Sequence, residues 1–348
     1  MNLNVATNEY YGLTDNGIFL QKLIIRGLGK LRFEEIVIIV FLLLMSLIRL
    51  IAGFSLLPKE SLMYLLLVFT ILLLNIYSYL RFSHSRFFRI EFFNMIRDIF
   101  PILCLIAIYD SFTNRGTMTA PELSHYLHGG KDYTFLLARA DKWIFGNQVS
   151  FILEPMINPI LTDFLTLCYL SYLFYPILPH ICFFISALRS GDPERHWKER
   201  RRYNIQIILT SLLGYVGYLS FPTTSPVFYF DYTIDLHGGQ FSEKVRQALA
   251  CYRNAHMDCC LFPSLHTALT FIVLVCLFKN YRPVAWLCTP LIFSLWFSTL
   301  YLRRHFFVDI VAGLVTALIG LSISPFIDRW WSQRVMGIRN FSGHKNEC

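Results

Sequence analysis

Charge is what this chain has least of. Asp, Glu, Lys and Arg make up 16% of its 348 residues, against roughly a quarter in soluble domains. Hydrophobic residues account for 55% and aromatics for 16%. One soluble core of this size cannot hide that much apolar surface, so a bilayer is the solvent that suits it. Metal-type cysteine spacing is missing as well. None of the nine cysteines forms a CxxC pair, and the Cys259-Cys260 doublet has no second pair to chelate with. Cys104, Cys168, Cys182, Cys276 and Cys288 read as small apolar filler inside helices. Cys251, Cys259 and Cys260 share a polar stretch, where an oxidising compartment would allow one disulfide. There is no internal repeat and no low-complexity segment. The first 34 residues lack the early apolar run and small-residue cleavage site of a signal peptide, so the first span itself is expected to direct targeting.

What is present is a series of apolar runs. A helical membrane span needs about 20 mostly apolar residues, and eight stretches qualify as candidates: 36–57, 61–80, 96–109, 163–188, 205–221, 265–278, 284–302 and 306–327. The third is the shortest and carries Arg97, Asp98 and Pro101. The formal net charge of +8 is distributed unevenly between these runs. With both termini cytoplasmic, the cytoplasmic segments hold twenty of the 31 Lys and Arg and the opposite side holds ten, with Arg49 inside the first run. That is the positive-inside bias, and it makes flanking of membrane spans, not nucleic-acid binding, the reason for the basic balance. The predicted fold class is therefore all-α, a polytopic helical membrane protein of about eight transmembrane helices. The stretch 17–32 mixes apolar and basic residues at helical spacing, as would suit a helix on an anionic surface or an ordinary solvated amphipathic helix. Two outer connections, 110–162 and 222–264, are long enough to carry function. In the first, 133–145 predicts an interfacial helix; in the second, Pro222, Pro226, Gly238 and Gly239 interrupt regular structure.

Ionisable groups next to spans are costly and mark function. His266 follows Pro263-Ser264-Leu265 at the start of the sixth run. Pro263 suits a first helical turn and Ser264 suits a cap. The start of a helix attracts anions through its free amides and dipole, so this string predicts a phosphate-sized anion site with a proton donor beside it. His305 and Asp309 stand four apart at the start of the last run, on one face of a helix. A carboxylate beside an imidazole fixes its tautomer and leaves the other nitrogen as nucleophile or base. The charge pattern puts both histidines on one side of the membrane. The ordinary explanations are an interfacial histidine and a stabilising i,i+4 pair; metal ligation ranks low, since no third convergent ligand pair is visible at helical spacing.

These residues carry a resemblance. Pro263-Ser264-Leu265-His266 with His305-Phe306-Phe307-Val308-Asp309 resembles the type 2 phosphatidic acid phosphatase (PAP2) superfamily, and within it the inositol phosphorylceramide synthase branch, which has Leu where general lipid phosphatases commonly have Gly. Ala140-Asp141-Lys142-Trp143-Ile144-Phe145-Gly146 is similar to the D-x-x-L-F-G segment of that branch, and 222–229 to its P-T-x-G-P-x-F-Y segment. The resemblance covers roughly residues 135–325. It implies a six-helix catalytic core within 131–328, preceded by first helices in 1–130 and followed by a cytoplasmic tail in 329–348. It implies a phosphohistidine mechanism without metal or other cofactor: His305 attacks phosphorus, Asp309 orients it, and His266 protonates the leaving group and then deprotonates the acceptor. Ser264, Arg303, Arg304 and Asp141 are the expected substrate contacts, phospholipids or lipid phosphates the expected substrates and the bilayer the expected partner. The expected active-site face is periplasmic, extracellular or lumenal.

Two departures stand out. The Lys-x6-Arg-Pro string of general lipid phosphatases is absent; Lys279-Asn280-Tyr281-Arg282-Pro283 has other spacing and follows the first motif. The position six before the second histidine is Thr299, not Arg. Phosphate charge is then left to Arg303 and Arg304, with Arg253 and Lys244 as weaker candidates. The expected activity is phosphotransfer to a lipid hydroxyl; hydrolysis of phosphatidate or a polyprenyl phosphate is the alternative, and a transporter using the histidines as a proton relay is the reading from another class.

Overall fold

A computed structural model describes residues 31–51, 59–81, 87–113, 132–192, 196–252 and 262–343. Eleven helices of more than one turn lie in them: α1 Phe33–Ile51, α2 Lys59–Arg81, α3 Phe87–Thr113, α4 Thr134–Phe145, α5 Pro159–Leu170, α6 Leu178–Ser190, α7 Trp197–Ser220, α8 Gln240–Tyr252, α9 Leu265–Asn280, α10 Arg282–Tyr301 and α11 Phe307–Gly343. Single turns occur at Val149–Ile152 and Pro226–Tyr229, and no strand is formed among the described residues. The all-α class follows from the apolar runs, whose Leu- and Ile-rich length satisfies the backbone internally.

Within the described residues the expected runs fall on helices, with two changes; 52–57 of the first run lie outside those residues. The run 96–109 is part of the 27-residue α3, which accommodates Pro101. The run 163–188 is not one helix: α5 and α6 are bent by 41° across tighter turns at Ser171–Leu173 and Tyr175–Ile177. Pro176 and Pro179 explain the break, because each lacks an amide hydrogen and crowds the preceding turn. The stretch 222–264 also contains α8, which begins once Gly239 has ended the interruption. Among the described residues, Arg282–Tyr301 and Phe307–Gln333 are long and apolar enough to cross a membrane, and the bent pair makes a third if taken as one span. The remaining helices are shorter in their apolar part or carry charge. Large apolar side chains nevertheless point outward along many of them, with Trp143 87% and Ile160 84% exposed, as suits contact with lipid.

The long helix α7 is the hub. It packs against α1, α3, α9 and α11, while α10 lies between α5 and α9. One hydrophobic cluster runs from Ile38 and Ile102 through Tyr215 to Leu269 and Ile292, so α1–α3 share a core with the later helices. Buried tyrosines of α7 reinforce the joints: Tyr203 donates its hydroxyl proton to the Pro176 carbonyl at 2.8 Å and Tyr215 to the Leu105 carbonyl at 2.7 Å.

The two ends of this bundle differ. At one end, buried charges tie α1, α2, α3 and α7 together. Arg97 donates to Glu35 at 2.5 and 2.8 Å and also to Asn75. Arg200 donates to Asp98 at 2.8 and 2.6 Å and to Glu91 at 2.7 Å, and Arg32 reaches Asp98 as well. The other end, about 25 Å along α7, is built on close helix contact. A Cβ on Gly217 would stand 2.4 Å from the Pro263 ring, and one on Gly313 of α11 would stand 2.4 Å from the Ser264 carbonyl oxygen. Glycine is what lets α11 and α7 approach the start of α9.

Candidate active site

The site is assembled where α9 and α11 begin. Phe262-Pro263 is a cis peptide, Ser264 is the N-cap, and α9 starts at Leu265. Pro263 therefore precedes the cap and is not in the first helical turn, a correction to the sequence reading. Ser264 is fully buried, and its side chain makes no capping bond; its amide donates instead to the Asp309 carbonyl at 3.0 Å. That bond joins the two sequence motifs directly. His266 then sits in the first turn of α9, where Tyr169 and Tyr172 cover it with ring centroids 4.9 and 4.4 Å away. Both tyrosines belong to the stretch where α5 gives way to α6, so the proline break is what brings them to the histidine.

His305 lies in the turn before α11. Its Nε2 is 3.2 Å from His266 Nδ1, and its Nδ1 is 3.3 Å from Asp309 Oδ2. His305 is 3% exposed and Asp309 is fully buried, while His266 is half-buried. The three side chains named from the sequence thus form one line, carboxylate to imidazole to imidazole. Asp309 Oδ2 also accepts the Phe306 amide at 2.9 Å, and Oδ1 has no hydrogen-bond partner among the described residues. In this line Nδ1 of His305 is committed to the carboxylate, and Nε2 is the nitrogen that faces the other ring.

The turn carrying His305 is clamped from both sides. The Ser225 hydroxyl lies 2.9 and 3.0 Å from the carbonyls of Arg303 and Arg304, and the Val227 amide donates to the Arg303 carbonyl at 3.0 Å. Arg303 holds a left-handed backbone with φ 58°, rare for a side chain of this kind. The Thr299 carbonyl accepts the amides of Arg304 at 2.8 Å and His305 at 3.1 Å. On the far side, Asp141 of α4 accepts the Phe307 amide at 2.8 Å and the Val308 amide at 3.1 Å. Both of the further stretches that resemble the family therefore grip backbone next to His305.

The expected substrate contacts fare differently. Asp141 is 1% exposed, and its two oxygens accept amides of α11. Burial pushes its carboxyl above the usual range, and the two amide bonds oppose the rise. Arg303 is 3% exposed; it donates to Glu154 at 3.1 Å and to the Ile234 carbonyl at 2.7 Å, and it stacks 3.6 Å over the Tyr232 ring. Its guanidinium is thereby held on Glu154, Ile234 and Tyr232. Burial lowers its pKa and raises that of the Tyr232 hydroxyl. Arg304 is half-buried next to His305, and Ser264 lines the start of α9. Lys244 is exposed on α8, and Arg253 lies outside the described residues, as do Cys259, Cys260 and the stretch 17–30. Sequence reasoning gave Ser225 no role of its own, although it lies in the family-like stretch 222–229, and it missed Tyr169, Tyr172 and Gly313. Of these three, Gly313 had a signal, a small residue one turn after Asp309 within an apolar run. Among the described residues no three His, Cys, Asp or Glu side chains group in a way that could hold a metal ion.

Comparison with known proteins bears on this geometry. A family profile described as the PAP2 superfamily matches residues 137–323. A PA-phosphatase related-family protein of Dictyostelium discoideum is 26% identical over 187 residues, which is 50% of this chain and 34% of that protein. The chain therefore spans about a third of the length of the curated relative it matches. No solved structure matches.

Proposed function

The chain belongs to the PAP2 superfamily, and on that premise we propose that it is a membrane-embedded phosphotransferase acting on lipid phosphate esters, of the inositol phosphorylceramide synthase kind. The observation that carries this reading is the line Asp309–His305–His266, with imidazole nitrogens 3.2 Å apart. His305 Nε2 attacks phosphorus while Nδ1–H is held by Asp309, whose charge stabilises the imidazolium that develops. The contact between the two rings opens to admit the phosphoryl group. His266 protonates the departing lipid oxygen; the bond from phosphorus to that oxygen breaks as the bond to His305 forms. In the second half His266 takes the proton of an acceptor hydroxyl, which attacks phosphorus and frees His305. The first amides of α9, uncapped by Ser264, are the donors for the phosphoryl oxygens. Arg304 supplies positive charge beside them. Eight helices crossing the bilayer, both termini cytoplasmic, and a site on the opposite face complete the proposal.

Hydrolysis is the second reading, favoured by the name of the Dictyostelium relative. Chemically it differs only in the acceptor. The test is a product assay. Purified protein receives radiolabelled phosphatidylinositol or phosphatidate, with and without a ceramide-type alcohol. Label moved to the alcohol supports transfer; label released only as a water-soluble phosphate, with the alcohol ignored, overturns transfer in favour of hydrolysis. No phosphorus chemistry on any lipid phosphate sinks both.

A further inference from the structure

A helix start exposes amides that need acceptors. The usual device is the capping box: the residue before the helix offers a side-chain oxygen to a first-turn amide, and the third helical residue reaches back to the amide of that preceding residue. The start of α11 has only the second half. Asp309, the third residue, accepts the Phe306 amide at 2.9 Å. Phe306, standing where the cap belongs, has no side-chain oxygen to give.

The missing half comes from another helix. Asp141 of α4 takes the Phe307 amide with Oδ2 and the Val308 amide with Oδ1. The Asp309 amide itself bonds to the Phe306 carbonyl at 3.2 Å, so each amide from Phe306 to Asp309 has an acceptor. Asp141 is not a loose partner. It is buried, and α4 is fixed around it: the Gln148 side chain donates to the Ala138 carbonyl at 2.7 Å, Thr134 accepts the Thr224 amide at 2.7 Å, and Phe145 meets Phe307 edge-on at 4.9 Å.

The arrangement matters because Asp309 Oδ2 is shared. The same oxygen closes the box on Phe306 and holds His305 Nδ1. Fraying of the first turn of α11 would loosen the box and the grip on the imidazole together. We propose that Asp141 is a positioning residue for phosphoryl transfer, supplying in trans the half of the capping box that the catalytic helix lacks and so fixing the angle at which His305 is presented. This rests on the function proposed above for His305 and Asp309.

The test uses full-length protein with Asp141→Ala, Asp141→Asn and Asp141→Glu. Hydrogen exchange by mass spectrometry reads the cap without requiring any activity. In Asp141→Ala, peptides spanning 303–312 exchange faster and those in the second half of α9, 272–280, do not change. Kinetics on the lipid substrate then read the consequence. A small misplacement of a reacting group costs up to about 100-fold, so kcat falls about 10- to 100-fold in Asp141→Ala, with KM within about threefold. Asp141→Asn keeps one acceptor oxygen and recovers part of the loss. Unchanged exchange at 303–312 overturns the cap. Faster exchange with an unaltered kcat overturns positioning, and a rise confined to KM restores the substrate contact instead. A wild-type protein inactive on lipid phosphates defeats the function proposed above, while the exchange data still decide whether Asp141 pins α11.

Discussion

Two helix starts meet at the histidines, and they are finished in opposite ways. At α11 the amides from Phe306 to Asp309 are bonded, two of them by a carboxylate brought from α4. At α9 the side chain of the cap residue Ser264 bonds no helix amide, although it is buried; its hydroxyl accepts from the Thr267 hydroxyl at 3.4 Å instead. A closed start holds a side chain still; an open one has donors to offer a ligand. The difference divides the labour. The start of α11 presents a fixed imidazole, and under the function proposed above the start of α9 receives the anion. Under that reading the amides of α9 meet the phosphoryl charge at a site where Thr299 stands six residues before the second histidine; the backbone carbonyl of Thr299 holds the turn, as that of any residue there could.

The comparison is broken most completely by removing what the closed start presents. His305→Ala is expected to lower phosphoryl chemistry by about 10³-fold or more, since losing a nucleophile outweighs every supporting group. Circular dichroism of the variant should match wild type; an active variant would remove the nucleophile from the scheme. Separating the two starts comes next. A side chain at Gly313 meets the Ser264 carbonyl oxygen, so Gly313→Val forces α11 away from α9 and stretches the line of nitrogens. A loss of about 100-fold in kcat is expected, and a variant at full rate would mean that the close contact is not needed. The mildest change sharpens the comparison. Ser264→Ala removes a hydroxyl that caps nothing, so thermal unfolding should move by less than about 0.5 kcal/mol, where loss of a working cap costs about 1 kcal/mol. A loss of cap size would show that α9 is capped after all.

Helical class, element order and the pairing of His266 with His305 and Asp309 were legible from the sequence for physical reasons. Apolar runs of span length have few alternatives, and the i,i+4 spacing of His305 and Asp309 is local geometry. The bend between α5 and α6 was not read, because the continuous hydropathy of 163–188 hid the break at Pro176 and Pro179. What could not be read were contacts made between distant elements. Nothing local to Asp141 distinguishes an acid that touches substrate from one that caps a helix 166 residues away in the chain. Arg303 looked like a phosphate ligand because it adjoins His305; its left-handed backbone turns the guanidinium toward Glu154 and Tyr232. The close approach of Gly313 to Ser264 likewise depends on how helices cross.

The motif-bearing stretch invites isolation as a fragment starting near residue 131. Arg200 argues against cutting there. Arg200 is 7% exposed and its guanidinium is answered by Glu91 and Asp98, both of which such a truncation would discard. The fragment would keep every residue of the catalytic line and strand a cation inside its own hub helix. Dissection of this protein is therefore better begun by neutralising single contacts in the intact chain than by shortening it.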